Sequence, residues 1–361
     1  MRLSEHYNGI IKKRTYSGFG LLIIIAFIFL LYFNSAHIAP STAALPVRRV
    51  FIEGVMVMLA IFMMDKKALG IFALLLIMSL FHWELAHNMV WNIATIPLII
   101  YSSHKKIITP RDLAFLVKGT VLILLAFVFF NEANGFKVEV IKNAGPFSSS
   151  LHLAYVLVTL SLLIFIEKSP TAHIFLLIIF CMSVLNGSRA SLLFAGILFF
   201  LSLGKLQFKL KIIYALIAIL FVLAFSIRGI GYELGNDDVR LSGYFNYLEN
   251  LSVTNFFVGE GRANYGGIGR RIMGQENVLI TESSLIMLLY CHGIIISLLL
   301  VKPIFVNLYK MATLSIHNVI PVSLLFGLFL LVPFFDAIGI GVLNAFFLNQ
   351  MFLNSQEILS E

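Results

Sequence analysis

Residues 113–130 read LAFLVKGTVLILLAFVFF, an apolar run in which Lys118 is the only charged side chain. The run is continuous rather than alternating, so it predicts a helix and not a barrel strand. Its length approaches the roughly 20 residues that a helix needs to cross a bilayer. Lipid offers the backbone no hydrogen-bond partners, so a helix that satisfies its own peptide groups is the stable form there. We therefore expect residues 113–130 to cross a membrane.

Similar apolar runs recur along the whole chain. They predict an all-α, polytopic transmembrane helix bundle in which residues 1–361 form a single integral-membrane domain. We expect about twelve spans. Ten or eleven are alternatives, because the third and fourth runs can form one interrupted hairpin and Pro333 and Asp336 divide the last two. The predicted spans lie near residues 17–33, 50–64, 68–81, 89–101, 113–130, 149–167, 171–187, 190–203, 212–227, 281–301, 317–335 and 337–353.

The composition excludes most other classes of protein. Of the 361 residues, 60% are hydrophobic and 12% are charged, whereas a soluble domain is about 25% charged. So few charges cannot cover a water-soluble protein of this size, which excludes soluble enzymes, secreted disulfide scaffolds and disordered chains. The first run follows Lys12, Lys13 and Arg14. A cleaved signal peptide is an alternative there, but we expect an uncleaved first span.

The basic residues divide into two groups when the amino terminus is placed in the cytoplasm. Most lysines then fall on the cytoplasmic side, as the positive-inside rule requires, and both termini are expected there. The opposite side has only two lysines, Lys137 and Lys142, but many arginines. Because arginine binds phosphate through a planar fork, this excess indicates an anionic partner outside, with anchoring at lipid headgroups as the alternative. The outer arginines are Arg48, Arg49, Arg189, Arg228, Arg240, Arg262, Arg270 and Arg271.

One long hydrophilic segment, residues 228–280, lies on the same outer side and is the predicted large periplasmic loop. Apolar residues from Leu241 to Leu251 have helical spacing, so this part of the loop can lie on the membrane surface. Glycines between Gly259 and Gly269 permit tight turns and expose backbone N–H groups to an anion. No GxxxxGK[ST] sequence occurs, and we therefore expect no nucleotide site.

Four short motifs occur in a fixed order: Asn186-Gly187-Ser188-Arg189-Ala190-Ser191, the outer loop with Arg240, Phe257-Val258-Gly259-Glu260-Gly261, and Thr281-Glu282-Ser283-Ser284-Leu285. In this order they resemble the O-antigen polymerase and O-antigen ligase superfamily of bacterial inner-membrane proteins, over roughly residues 150–300. The resemblance implies a multi-span protein with a large periplasmic loop. It also implies a metal-independent glycosyltransferase without a cofactor, acting on undecaprenyl-pyrophosphate-linked glycans.

Sugar transfer from a lipid pyrophosphate sets requirements that these residues can meet. The leaving pyrophosphate gains negative charge, so guanidinium groups aimed at it stabilise the transition state, and we assign this role to Arg189 and Arg240. For Arg189, a simple helix-end anchor is the alternative. The acceptor hydroxyl loses a proton, and Glu282 is the candidate base, with a helix-dipole charge as the alternative. The substrate-binding candidates are Arg262, Arg270 and Arg271 for phosphate, and Tyr244 and Tyr247 for stacking on sugars or for placement at the membrane interface.

Together with the resemblance, these residues predict a polysaccharide repeat-unit polymerase in the bacterial inner membrane. It moves a growing chain from one undecaprenyl pyrophosphate to the non-reducing end of another lipid-linked repeat. The expected partners are that lipid-linked oligosaccharide, membrane lipid and a chain-length regulator protein, and no nucleic acid or metal is expected. An O-antigen ligase acting on lipid A-core is one alternative, although the ligases typically carry a histidine where residues 228–280 have none. A flippase or other transporter is the second alternative, and an ion-coupled transporter would use an intramembrane acid such as Glu53.

Overall fold

The computed structural model describes most of the apolar runs and little of the long hydrophilic segment. In the described residues every regular element is helical, which confirms the all-α prediction for this part of the chain. The α helices are α1 (Gly18–Phe33), α2 (Lys66–Phe81), α3 (Pro110–Asn134), α4 (Ser150–Glu167), α5 (Ala172–Asn186), α6 (Arg189–Ser202), α7 (Val253–Val258), α8 (Ser284–Leu314), α9 (Ile316–Leu331) and α10 (Ile338–Ser360). The described residues are 17–33, 54–55, 58–81, 98–99, 107–136, 142–147, 150–167, 169–205, 213–214, 252–259, 284–314, 316–331 and 338–360.

Three of these helices are long and apolar enough to cross a membrane: α3, α4 and the Cys291–Thr313 part of α8. The first two coincide with predicted spans. Helices α1, α5 and α6 are also apolar, but they have 16, 15 and 14 residues, fewer than the roughly 20 of a full crossing. The predicted spans 89–101 and 212–227 lie almost entirely outside the described residues. The total number of spans and the side that each loop faces therefore stay predictions.

Helix α3 illustrates how the local sequence sets the ends of a helix. Thr109 has extended backbone angles, and its Oγ1 accepts a hydrogen bond from the Asp112 N–H at 3.1 Å. Pro110 occupies the first helical position, where a backbone N–H would have no partner within the helix. At the other end Gly135 is left-handed, with φ 68°, and its N–H bonds to Asn131 O. These caps place the ends of α3 a few residues outside the predicted span 113–130.

Helix α4 lies at the centre of the described helices. It packs against α3, α5, α6 and α10, and 72% of its apolar stretch is buried, against 39% for α3. A helix that is apolar on all sides is expected to occupy such an interior position. Short connections join α4 to α5 and α5 to α6, so consecutive helices run antiparallel. The end of α5 therefore lies beside the starts of α4 and α6, in a region that we call the Gly187 end.

Helix α8 differs from the predicted span 281–301 in two ways. Gly293 has non-helical backbone angles, φ 68° and ψ 175°, so the helix is interrupted there. The chain then remains helical through Lys302, Pro303 and Lys310 to Leu314, so the predicted end near residue 301 is wrong. Lysine is a good helix former whose long side chain can carry its charge away from an apolar face, and a fall in hydropathy therefore does not end a helix.

Candidate functional site

The tight turn between α5 and α6 places the first of the predicted site residues. Helix α5 ends at Asn186, and Gly187 follows with φ 71°, its N–H bonding back to the last turn of α5. Glycine adopts this left-handed conformation without the steric cost of a Cβ, which lets the chain leave the helix sharply. Ser188 is extended, and Arg189 is the first residue of α6. The backbone of Arg189 thus lies at a helix N-terminus at the Gly187 end.

Asn186 joins this turn to two neighbouring segments. Its side chain is fully buried, and Nδ2 donates to Asn143 O at 2.9 Å and to Ser150 O at 2.8 Å. One amide group therefore links the end of α5 to the chain between α3 and α4 and to the start of α4. Because a buried polar group without a partner costs roughly 1–3 kcal/mol, these bonds favour a single position of the turn.

The chain between α3 and α4 includes a buried, non-helical segment, residues 142–147. Asn143 in this segment is fully buried, and its Oδ1 accepts a hydrogen bond from the Gly145 N–H at 2.8 Å. Its Nδ2 donates to a backbone carbonyl of α3 at 2.9 Å and to Glu132 Oε1 at 3.1 Å. Asn131 Nδ2 donates to Gly145 O at 2.6 Å. Non-helical backbone is tolerated among apolar helices only where the protein itself supplies hydrogen-bond partners for it. Asn131 and Asn143 supply such partners here.

The aliphatic part of the Lys142 side chain packs against the same turn. Its Cγ lies 3.3 Å from the position that a Cβ on residue 187 would occupy, so the lysine side chain covers Gly187. Arg189 comes two residues after Gly187 in the chain. The Ser188 side chain makes no capping hydrogen bond, so the N–H groups of the first turn of α6 are not capped by it. Basic residues next to a helix N-terminus in the chain are a composition that suits a phosphate group.

Most of the predicted site residues lie outside the described residues. Only the backbone of Arg189 is described, and its distances from the other candidates stay predictions. The outer arginines at 48, 49 and 228, and Glu53, also lie outside the described residues. The candidates outside the described residues are Arg240, Tyr244, Tyr247, Arg262, Arg270, Arg271 and Glu282.

Three residues near the Gly187 turn are not among the predicted site residues. They are Lys142, which the charge pattern marks only as an outer lysine, together with Asn143 and Glu132. The Asn-Ala-Gly-Pro sequence from Asn143 does carry the composition of a turn, but composition cannot tell a buried turn from an exposed one. Within the ranges that the structure covers, no group of three or more His, Cys, Asp or Glu side chains could hold a metal ion.

Comparison of the chain with protein-family models, with curated proteins and with solved structures finds no match. The resemblance carried by the short motifs therefore stays a hypothesis.

Proposed function

We propose that the protein is a metal-independent glycosyltransferase that polymerises lipid-linked polysaccharide repeat units at the outer face of the bacterial inner membrane. The hydroxyl at the non-reducing end of one lipid-linked repeat attacks the anomeric carbon of the growing chain on another carrier. A C–O bond forms at that carbon, and its bond to the pyrophosphate oxygen breaks. Undecaprenyl pyrophosphate leaves with the electron pair, and the hydroxyl proton passes to a base of the protein.

The turn at Gly187 is the observation that carries this proposal. The Cγ of Lys142 lies against the turn and Arg189 begins the next helix, so two basic residues and the start of a helix lie close together at one end of a set of apolar helices. A pyrophosphate leaving group gains negative charge in the transition state, and preorganised cations and N–H groups stabilise that charge. Rigid support makes such groups effective, and the buried amides of Asn143 and Asn186 provide it.

The outer surface of α6 supports a lipid substrate. Leu193, Ile197 and Phe200 are exposed, at 65%, 36% and 50% of their surface. Their spacing of four and then three residues puts them on one face of the helix. This apolar stripe begins about one turn from Arg189. An anionic headgroup at the helix start with an isoprenoid tail along the stripe matches the amphiphilic chemistry of a lipid pyrophosphate.

The remaining roles belong to residues 228–280 and to Glu282, which comes two residues before the first residue of α8. In the proposed reaction Arg240 acts with Arg189 on the leaving pyrophosphate, and Glu282 takes the proton of the acceptor hydroxyl. The phosphate contacts of the second lipid carrier are assigned to Arg262, Arg270 and Arg271, and the sugar contacts to Tyr244 and Tyr247.

The proposal is tested by replacing Arg189 with lysine, which keeps the charge and removes the planar fork. Cells lacking the protein are complemented with Arg189→Lys, and the length distribution of the surface polysaccharide is read from gels. We expect long polymer to fall by about tenfold or more, the loss of roughly 1.4 kcal/mol of transition-state stabilisation. Arg111→Lys is the matched control, because Arg111 is exposed in the first turn of α3. The other end of α3, at Asn131, is the one that bonds to the segment beside the Gly187 turn. Normal polymer from the Arg189 variant, at equal protein levels, would refute the assignment.

The deletion strain separates the polymerase from its two alternatives. Loss of a polymerase leaves single repeats attached to the lipid A-core, whereas loss of a ligase leaves no repeat attached. Loss of a flippase strands the lipid-linked repeat on the cytoplasmic side of the membrane. Either of the last two results would contradict the proposed function.

A further inference from the structure

One face of α7 forms an apolar surface that the proposed function does not use. We propose that α7 anchors the chain at the membrane interface, where Val253, Phe256 and Phe257 insert at the boundary between lipid headgroups and acyl chains. We call these three side chains the α7 patch. The inference takes the Cys291–Thr313 part of α8 to cross the bilayer, and it does not depend on the proposed reaction.

The α7 patch is apolar and exposed, and it occupies one face of the helix. Val253, Phe256 and Phe257 are 77%, 36% and 48% exposed. The two phenylalanines follow Val253 by three and four positions, and residues with that spacing share one face of an α-helix. The two rings contact each other edge to face, with centroids 5.2 Å apart. Adjoining apolar side chains that remain exposed indicate a surface that meets another apolar body.

The position of α7 along α8 puts the patch near one edge of the bilayer. The candidate span has 23 residues and is about 35 Å long as a helix, close to the roughly 30 Å thickness of the hydrocarbon core. Its first residues therefore lie near the edge of that core. The Phe257 backbone lies against Gly293, and Gly259 lies against Cys291. The six residues of α7 extend about 9 Å, so the whole patch stays near the same edge.

The exposed surface of α8 makes lipid the neighbour at this depth. Ile295, Leu298 and Leu299 are exposed just inside the same end of the span. On a helix that crosses a bilayer, exposed apolar side chains face the acyl chains. Val258, the last residue of α7, is also exposed and adds apolar surface at the end nearest the span. The lipid that covers this part of α8 is therefore close enough to cover the α7 patch as well.

The size of the patch favours lipid over a protein partner. A specific protein interface uses about 20–30 residues on each side, whereas α7 has six residues in all. A bilayer needs no matching surface, because the burial of apolar side chains is not directional. Thr254 is exposed and lies about 100° around the helix from Val253, so a polar residue borders the patch. A helix with an apolar face that contains phenylalanine and a polar side suits the interfacial layer.

The experiment measures the depth of a single tryptophan in the full-length protein. The chain has two tryptophans, so Trp83→Phe and Trp91→Phe are made first, and Phe257→Trp is then added. The protein is reconstituted into vesicles of phosphatidylethanolamine and phosphatidylglycerol in which one lipid carries bromine at a known depth. Quenching of fluorescence by bromine and by aqueous iodide is recorded. Thr254→Trp is the matched control on the same helix, and Leu298→Trp is the control within the span.

We expect the Phe257→Trp protein to be quenched most by bromine about 15 Å from the bilayer centre. This quenching should be at least about twofold stronger than in the Thr254→Trp protein, and the Leu298→Trp protein should respond to deeper bromine. Quenching of Phe257→Trp by iodide but not by bromine would place the patch in water and overturn the inference. Protection from both quenchers would show that protein covers the patch, which also overturns it. A depth equal to that of Leu298→Trp would overturn the interfacial position.

A charge on the patch tests whether contact with lipid holds α7 at this depth. Val253→Asp is added to the Phe257→Trp protein, and Thr254→Asp is the matched control. A carboxylate is unfavourable among acyl chains. Val253→Asp should therefore lower the bromine quenching at least about twofold, whereas Thr254→Asp should change it by less than about a quarter. Equal effects of the two substitutions would show that lipid does not select this face, and would overturn the inference.

Discussion

Replacement of Asn186 by alanine measures how strongly the Gly187 turn is held. The change removes the hydrogen bonds from Nδ2 to Asn143 O, at 2.9 Å, and to Ser150 O, at 2.8 Å. A net contribution of about 0.5–1.5 kcal/mol is typical for each such bond, and bonds between helices in membranes average about 0.6 kcal/mol. Asn186 is fully buried, so water does not replace the lost partner. We therefore expect the free energy of unfolding to fall by about 1–3 kcal/mol.

The assay is unfolding of the purified protein by SDS in mixed micelles, followed by far-ultraviolet circular dichroism. Asn134→Ala is the control, because Asn134 Nδ2 also donates to a backbone carbonyl, that of Phe130 at 2.8 Å, but at an exposed site. Its unfolding free energy should change by less than about 0.5 kcal/mol. Asn186→Asp should be more destabilising than Asn186→Ala, since a carboxylate would face two carbonyl oxygens. A loss for Asn186→Ala no larger than that of the control would refute the reasoning.

Two further predictions concern contacts away from the Gly187 end and use the same SDS titration. Lys118 Nζ lies 2.7 Å from Glu167 Oε1 with both side chains 23% exposed, so Glu167→Gln should lower the unfolding free energy by about 1 kcal/mol. A second change, Lys118→Met, should recover part of that loss, and an additive loss would contradict the pairing. Gln350 Oε1 accepts from Ile107 N at 2.9 Å and Ile108 N at 3.3 Å. Gln350→Leu leaves two buried donors unpaired and should cost about 1–3 kcal/mol, whereas a change below about 0.5 kcal/mol would contradict this assignment.

The sequence predicted the helices well where apolar runs end at residues that also end helices. The run 149–167 matches α4 (Ser150–Glu167) almost residue for residue. The run 171–187 ends at Gly187, which leaves the helix with a positive φ. In both cases the fall in hydropathy occurs at the residues where the helix itself ends. The pattern of apolar residues is therefore sufficient to locate such helices.

Helix α8 shows where hydropathy fails. The run 281–301 contains Gly293, which looks like one more small residue within an apolar stretch, yet it interrupts the helix. Its conformation follows from the approach of Gly259, a residue 34 positions earlier in the chain. A contact of that kind depends on the tertiary structure and leaves no periodic signal. The lysines after residue 301 end the apolar run but not the helix, because helical hydrogen bonds do not require apolar side chains.

The candidate site was only partly predictable for a related reason. Arg189 could be singled out because an arginine on the predicted outer side of a membrane protein is uncommon and guanidinium binds phosphate well. Asn143 and Glu132 could not, because their importance comes from partners on other segments. Asn143 bonds to α3 and accepts the amide of Asn186, 43 residues away. Nothing in the sequence around Asn143 specifies those partners.

Several buried hydrogen bonds hold the turn before α6, and this has a consequence for the proposed reaction. At the Gly187 end, the amides of Asn131 and Asn186 join α3, α4 and α5, so the start of α6 is fixed by several contacts at once. A turn with several buried bonds opens at a higher free-energy cost than a segment held by a single contact. In the proposed reaction the donor pyrophosphate would therefore bind at a rigid surface, and the groups that stabilise its developing charge would need little rearrangement.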